Sequence, residues 1–586
     1  ASNPKLAALE VKDAEITPAF DEETFSYNAT VPYETESVEI KATAAEGFSL
    51  SINDEAAEND TYVSVPLEVG TNDVLVKAID DVTGISSITT VSIKREQDPA
   101  FFYTEQWRPQ FHYSQEIGWC NDPNGMVYFE GEWHLFYQYN VQKTWTSMHW
   151  GHAVSTDLIH WEELPIALYP DENGTIFSGS AVVDEDNTTG FFDGIEGGGL
   201  VAIFTHDGGG QKQSLAYSLD KGRTWIKYKG NPVLTSEDDP CKDGAFRDPK
   251  VFWHEESGKW MMAVAGGPFR IFSSTNLIDW EVESVYNQNQ VIDGKQVNSI
   301  YSECPDFFKL EVGDTGTYKW VYSGGGRYYM IGDFKEVEGK WYFIPDTNEQ
   351  FTTNYAPDAY AAQTYFGWDE GGTPDGRRIM IQWMSNWAYA NNLANITDPY
   401  NNAQTMMYEL TLEETANGIR LFQNPISEYD SLRQVDKATE INTTLTPDGE
   451  NPLAGFSGDQ YEIVAEFTPT EDTTQVGFKL RTGGDQETLV YYNLQDGRMY
   501  IDRTKSGKDG GGGFLGVYSQ QTSMTEDGKI QMRIYVDWSA VEVFGNYGET
   551  LGTALIFPDY TSTGAEVYTV GGNADVNATI YPLDSI

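Results

Sequence analysis

Positive charge, cysteine and long apolar runs are what this sequence lacks. Of its 586 residues, 37 are Lys or Arg against 90 Asp or Glu, a formal net charge of −53. Such a surface repels nucleic acid and anionic membranes, whereas a neutral polymer meets no charge penalty. No stretch approaches the about 20 apolar residues that a membrane helix needs, so no membrane span is expected. The three cysteines, Cys120, Cys241 and Cys304, are an odd number and too few for a disulfide framework. Histidine is scarce as well, with seven in the chain. His149 and His152 stand three apart, but no second His/Cys cluster follows. Neither a metal nor any other cofactor is therefore expected.

The absences are unevenly spread, and that marks domains in a chain too long for one core. Residues 1–97 contain no Trp, Cys or His, while fifteen of the sixteen Trp lie between Trp107 and Trp387. The first segment alternates, as in Val38-Glu39-Ile40-Lys41-Ala42-Thr43 and Val74-Leu75-Val76-Lys77-Ala78. That period of two, over about seven short strands, suits a β-sandwich across 1–97. From 101 to 425, mixed aromatic and aliphatic runs such as Glu132 to Gln138 and Gly258 to Val264 alternate with Gly, Asp and Asn turns. Four-stranded sheets repeated radially explain this rhythm. Residues 426–439 read as a linker with one short helix, Glu428 to Gln434, N-capped by Ser427. Residues 440–586 are all-β again, with Tyr461 to Phe467 and Ile534 to Trp538 as strands. The run Gly510 to Gly513 is expected to be a flexible loop, since no strand–helix context makes it a phosphate cradle.

Chemistry concentrates in three short segments. In Trp119-Cys120-Asn121-Asp122-Pro123-Asn124-Gly125, Pro123 biases Asp122 toward an extended conformation and Asn124-Gly125 turns the chain. A carboxylate held at such a strand-to-turn corner is a candidate sugar nucleophile, although an ordinary hairpin turn reads the same way locally. Phe246-Arg247-Asp248-Pro249 repeats the Asp-Pro pairing beside an Arg, and Glu303-Cys304-Pro305 offers a third carboxylate. Retaining glycoside hydrolysis uses two such groups about 5 Å apart, one as nucleophile and one as acid/base.

The order and context of these segments resemble glycoside hydrolase family 32, the β-fructosidases, from about Trp107 to Ile586. The resemblance also rests on Phe136-Tyr137-Gln138-Tyr139-Asn140, Trp150-Gly151-His152-Ala153, Ser155 to Trp161, Phe177-Ser178-Gly179-Ser180 and Trp383-Met384-Ser385-Asn386-Trp387. The Ser-Gly-Ser and Trp-Met-Ser-Asn-Trp segments are more similar to exo-inulinases and levanases than to plant invertases. The implied fold is all-β: a five-bladed propeller followed by a C-terminal β-sandwich and preceded here by the small N-terminal one. The implied roles are Asp122 as nucleophile, Glu303 as acid/base and Asp248 as the group that holds sugar hydroxyls. Asn121, Gln138, Trp145, Phe177, Ser178 and Arg247 fall on positions that line the fructose subsite. Either Trp383 or Trp387 adds an aromatic wall.

Two physical expectations accompany these roles. Asp122 has to stay ionised while Glu303 carries a proton, and neighbouring charge plus burial separates such a pair. Arg247 should pair with Asp248 and keep it charged. Two departures from the family pattern stand out. Cys120 replaces the usual Met, which raises the prospect of thiol-reagent sensitivity, and Asn140-Val141 replaces Asn-Pro.

The N-terminal segment resembles cadherin-like β-sandwich modules of bacterial surface proteins, through Leu6-x-x-Leu9, Ile16-Thr17-Pro18-x-Phe20, Tyr27 and Val91-Ser92-Ile93. Spacing, cell-surface docking or polysaccharide docking is what this implies; Tyr33, Phe48 and Tyr62 are the aromatic candidates for sugar contact. The chain opens at Ala1 with no leader, so a processed, secreted or cell-surface protein is expected. The expected activity is retaining hydrolysis of terminal fructofuranosyl units of fructans and sucrose. A fructosyltransferase, an endo-acting fructanase and a non-catalytic fructan-binding surface protein are the alternatives.

Overall fold

The computed structural model describes residues 4–101, 103–366 and 373–586. Strands make up nearly all of its regular structure, and the few helices are short 3₁₀ turns. Two sheets form the N-terminal sandwich. One orders Leu6–Val11, Ser37–Ala44 and Thr61–Pro66; the other has five strands, with Ser26–Val31 parallel to Ser86–Arg95. The alternation read from sequence lands Val38, Ile40, Ala42 and Ala44 in the core on one face, and Val74, Val76 and Ala78 on the other. Phe48 packs against that core, leaving Tyr62 as the exposed member of the three aromatic candidates, capped by Lys41 and Lys12.

Five antiparallel sheets of four main strands follow, and their first strands are Gly118–Phe129, Thr175–Val183, Arg247–His254, Pro305–Glu311 and Tyr360–Thr364. Each first strand packs against the next, and the fifth packs back on the first, which closes a five-bladed propeller. Buried polar side chains sew this inner ring together. Ser180 donates to the Pro249 carbonyl at 2.8 Å and Gln363 donates to the Gly179 carbonyl at 2.9 Å. Asp306 accepts the Thr364 amide at 2.7 Å. The chain returns to the first blade at Tyr400–Asn401, parallel to Gly118 and Trp119.

The C-terminal sandwich packs a six-stranded sheet, with Thr439–Leu445 at one edge and Thr550–Leu555 at the other, on a five-stranded one. Between it and the propeller, the expected helix is a 3₁₀ turn, Ser427–Leu432. Ser427 lies inside this turn, and Ile426, at the cap, makes no side-chain bond. The hydroxyl of Ser427 instead donates to its neighbour Glu428. The glycine run is not loose either: Gly510 and Gly512 press against Leu393 and Ala388 of the segment that follows Trp387.

Candidate active site

The innermost strands share one irregularity. In four of the five, two residues oppose one on the neighbouring strand, which is a β-bulge. Asn121-Asp122 bulge opposite Gln138, and Phe177-Ser178 opposite Thr205. Asp248-Pro249 bulge opposite Val264, and Ala361-Ala362, just after Tyr360, opposite Gln382. A bulge re-aims side chains and strengthens the local twist, so these strands turn their polar residues into the mouth of the propeller. Asp122 therefore sits inside the strand Gly118–Phe129, not at the strand-to-turn corner that its Pro-Asn-Gly context suggests. The turn signal is spent on a second bulge, at Gly125-Met126, where Gly125 has φ +57° and a Cβ would lie 2.4 Å from the Phe136 ring.

Three donors hold the Asp122 carboxylate. Ser178 Oγ donates at 2.6 Å, Asn121 Nδ2 at 3.1 Å and Cys304 Sγ lies 3.4 Å away. Asn121 is itself aimed by the Trp119 indole N–H at 2.8 Å. Burial, together with the negative charge of Glu303, pushes the Asp122 carboxyl above its usual range, while those donors pull it down. The Asp248 carboxylate accepts the Cys304 amide at 2.8 Å. Its backbone (φ +66°) and that of Cys304 (φ +41°) are both left-handed, a strain that such sites hold at about 1–3 kcal/mol per residue. Burial, opposed by Arg247 and reinforced by Asp122 and Glu303, pushes Asp248 up to about 7.

Arg247 does not pair with Asp248. Its guanidinium donates to Glu303 Oε2 at 2.9 Å, and the Tyr360 hydroxyl donates to Glu303 Oε1 at 2.8 Å. The acid next to Arg247 in sequence is turned away by the bulge, and the partner comes from another blade. Oxygens of Asp122 and Asp248 and the sulfur of Cys304 lie within 4.8 Å of one another, the one grouping among the described residues that could hold a metal ion. His149 and His152, on one strand, point to opposite faces; His152 bonds His134 at 2.8 Å. Cys120 is fully buried and burial raises its thiol, which removes the reason to expect reagent sensitivity there.

Aromatic rings line one side of the mouth. Trp145 makes edge contacts with Phe177 and Trp387, whose centroids are 6.2 and 6.4 Å away, and Trp387 stacks on Trp119. Trp387 is 43% exposed and Trp383 is 0% exposed, so of the two it is Trp387 that presents its ring at the mouth, with Trp383 in the core beneath it. Gln138 is buried behind the site and donates to Asn124 Oδ1 at 2.9 Å. Sequence reasoning missed Tyr360, Cys304 as a ligand of both aspartates, and Gln363, which donates to the Pro123 and Gly179 carbonyls. No local signal marks them, because each acts across blades.

A five-bladed funnel with carboxylates at its mouth, closed on one side by tryptophans, defines a glycoside hydrolase of the propeller type. The chain belongs to glycosyl hydrolases family 32. The N-terminal domain of that family matches residues 112–425, its C-terminal domain matches 428–582, and a cadherin-like beta sandwich domain matches 6–96. The chain is 43% identical over 516 residues to a levanase of Bacillus subtilis, covering 85% of this chain and 74% of that one. It is 42% identical over 534 residues to a fructan beta-fructosidase of Streptococcus mutans, a match that spans 89% of this chain but 36% of that protein. The crystal structure of an exo-inulinase from Aspergillus awamori superposes with TM-score 0.73 at 32% identity, covering 82% of this chain and 99% of that one.

Proposed function

We propose that this chain is a retaining β-fructosidase that removes terminal fructofuranosyl units from fructans, and from sucrose, outside the cell. The observation that carries the reading is the way Glu303 and Asp122 are held. Glu303 is gripped at both oxygens, by Arg247 and Tyr360, while Asp122 is oriented by three donors with an open mouth before it. Relatives named levanase, exo-inulinase and fructan beta-fructosidase support a fructan as substrate. Relatives named extracellular and a net charge of −53 support secretion.

In the first step Glu303 gives its proton to the glycosidic oxygen as Asp122 attacks the anomeric carbon. The C–O bond to the leaving group breaks and a fructosyl ester of Asp122 forms. In the second step Glu303, now ionised, takes a proton from water. That oxygen bonds to the anomeric carbon, and the Asp122 carboxylate leaves. Asp248 accepts hydrogen bonds from ring hydroxyls and offsets the positive charge that develops on the sugar in both transition states. Ser178 and Asn121 keep Asp122 pointed at the carbon, which is an orientation effect. Arg247 and Tyr360 hold Glu303 beside the leaving oxygen.

Incubation with inulin, levan and sucrose separately tests the reading. Free fructose as the sole early product from a polymer is expected, and the faster polymer names the linkage. Early oligosaccharides point to endo-hydrolysis, longer products point to transfer, and no product from any of the three contradicts the proposal.

A further inference from the structure

The segment Gly70 to Asp73 of the N-terminal sandwich lies against both stems of the loop 141–148, which carries Trp145. Gly70 packs so closely on Ile117, which leads into the strand Gly118–Phe129, that a Cβ would stand 1.6 Å from the Ile117 Cδ1; at the first stem it would stand 3.6 Å from Val141 Cγ2. The Thr71 side chain lies beside the buried Tyr139 hydroxyl. On the second stem, Asp73 Oδ2 stands 3.5 Å from His149 Nε2, and Ser92 Oγ holds the other Asp73 oxygen at 2.5 Å. The remaining ring nitrogen of His149 donates to the Ser147 carbonyl at 3.0 Å, which Asn140 Nδ2 also reaches at 2.7 Å. The far side of the loop is pinned to the propeller. Asn391 Oδ1 accepts the Trp145 amide at 2.8 Å, and Lys143 donates to the Ala394 and Thr397 carbonyls.

We propose that the N-terminal sandwich is a positioning element of the active site: it clamps the loop 141–148 and so sets the aromatic wall formed by Trp145. A free loop of that length with an exposed tryptophan at its tip samples many arrangements. Fixing both stems restricts those arrangements and lowers the ordering cost of stacking on a sugar. Thr71 and Asp73 are then specificity-determining residues for substrate affinity, although they touch no substrate. This rests on the reading that Trp145 lines the substrate site.

The test uses the full chain with two variants on the same interface. Thr71→Ala/Asp73→Ala removes the polar clamp. Lys229→Ala removes the ion pair between Lys229 and Glu23, 3.8 Å, which joins the same sandwich to the second blade outside the loop and its stems. Amide hydrogen exchange over residues 141–148 is expected to quicken in the double variant. KM for sucrose and for a fructan should rise about three- to tenfold, the size of one or two modest polar contacts, with kcat within about twofold. Lys229→Ala should leave exchange in the loop and KM at wild-type values. The clamp is overturned if the double variant leaves exchange unchanged, or if Lys229→Ala quickens it as much. Faster exchange with an unchanged KM upholds the clamp and removes Trp145 from the binding wall, which separates failure of this inference from failure of the functional reading.

Discussion

At the seam between the propeller and the C-terminal sandwich, Asp537 and Glu542 are as deeply buried as Asp248 is in the funnel. Their surroundings differ in kind. His112 sits between the seam carboxylates, 2.8 Å from Asp537 and 2.6 Å from Glu542. The remaining lone pairs are taken by the Gln110, Phe111 and Trp538 amides on one side, and by Met406, Tyr408 and Thr553 on the other. Burial alone would lower the imidazole, yet the two carboxylates outweigh it and raise His112 to about 9. A second pair, Arg503 with Asp358 at 2.5 Å, repeats the pattern at the same seam. In the funnel, the Arg247 guanidinium pairs with Glu303, and Asp122 and Asp248 are both pushed up. Buried charge saturated with fixed donors holds two domains together; buried charge without an ion partner, facing an opening, is the kind that functional sites keep.

The comparison breaks first at Asp122. Asp122→Asn keeps the shape and the Ser178 contact but removes the nucleophile, so kcat is expected to fall by at least about 10⁴-fold while sugar binding persists; steady-state rates beside calorimetric binding check this. At the seam the loss should appear in stability instead. His112→Ala leaves two unpaired buried carboxylates, a cost of about 3–5 kcal/mol, read as a lower thermal midpoint with kcat at 25 °C nearly unchanged. The pH dependence has a definite sign. The folded His112 titrates above its unfolded value, so its contribution is full below about pH 6.5 and is lost as pH rises through about 9. The variant's stability should be flatter over that window.

Asp248 sharpens the contrast from the other side. Its folded pKa of about 7 lies above the ordinary carboxyl value of 3.8, so it costs stability as pH rises from about 4 to 7. Asp248→Asn should therefore lower kcat/KM yet raise stability above pH 7 by about 1–3 kcal/mol, with the gain fading as pH falls toward 4. Denaturation midpoints at pH 4, 6 and 8 decide it. The smallest effect is expected at the wall. Trp387→Ala should raise KM about three- to tenfold with little change in stability, because the ring is exposed and makes edge or offset contacts worth about 1 kcal/mol.

Much of this arrangement was legible in the chain. The period-2 alternation of Val38 to Thr43 places the N-terminal core, and the Asp-Pro and Glu-Cys-Pro segments name the three carboxylates. The bulges were not legible, because a bulge is a mismatch between two strands and Asn121-Asp122 shows no sign of facing only Gln138. Arg247 illustrates the same limit: its neighbour in sequence is Asp248, and its partner is 56 residues away. Tyr360 and Gln363 act across blades, and His112 meets Asp537 across 425 residues. Choosing between Trp383 and Trp387 required burial, which five aromatic and polar residues in a row do not reveal.

The central claim is that Asp122 becomes covalently fructosylated. Glu303→Ala should slow both steps, but a substrate whose leaving group needs no protonation restores the first and leaves the second without its base. Rapid acid quenching of that variant, followed by peptide mass mapping, is predicted to show one fructosyl unit esterified on the peptide that contains Asp122. A burst of leaving group with no adduct, or with the adduct on another carboxylate, would contradict the account.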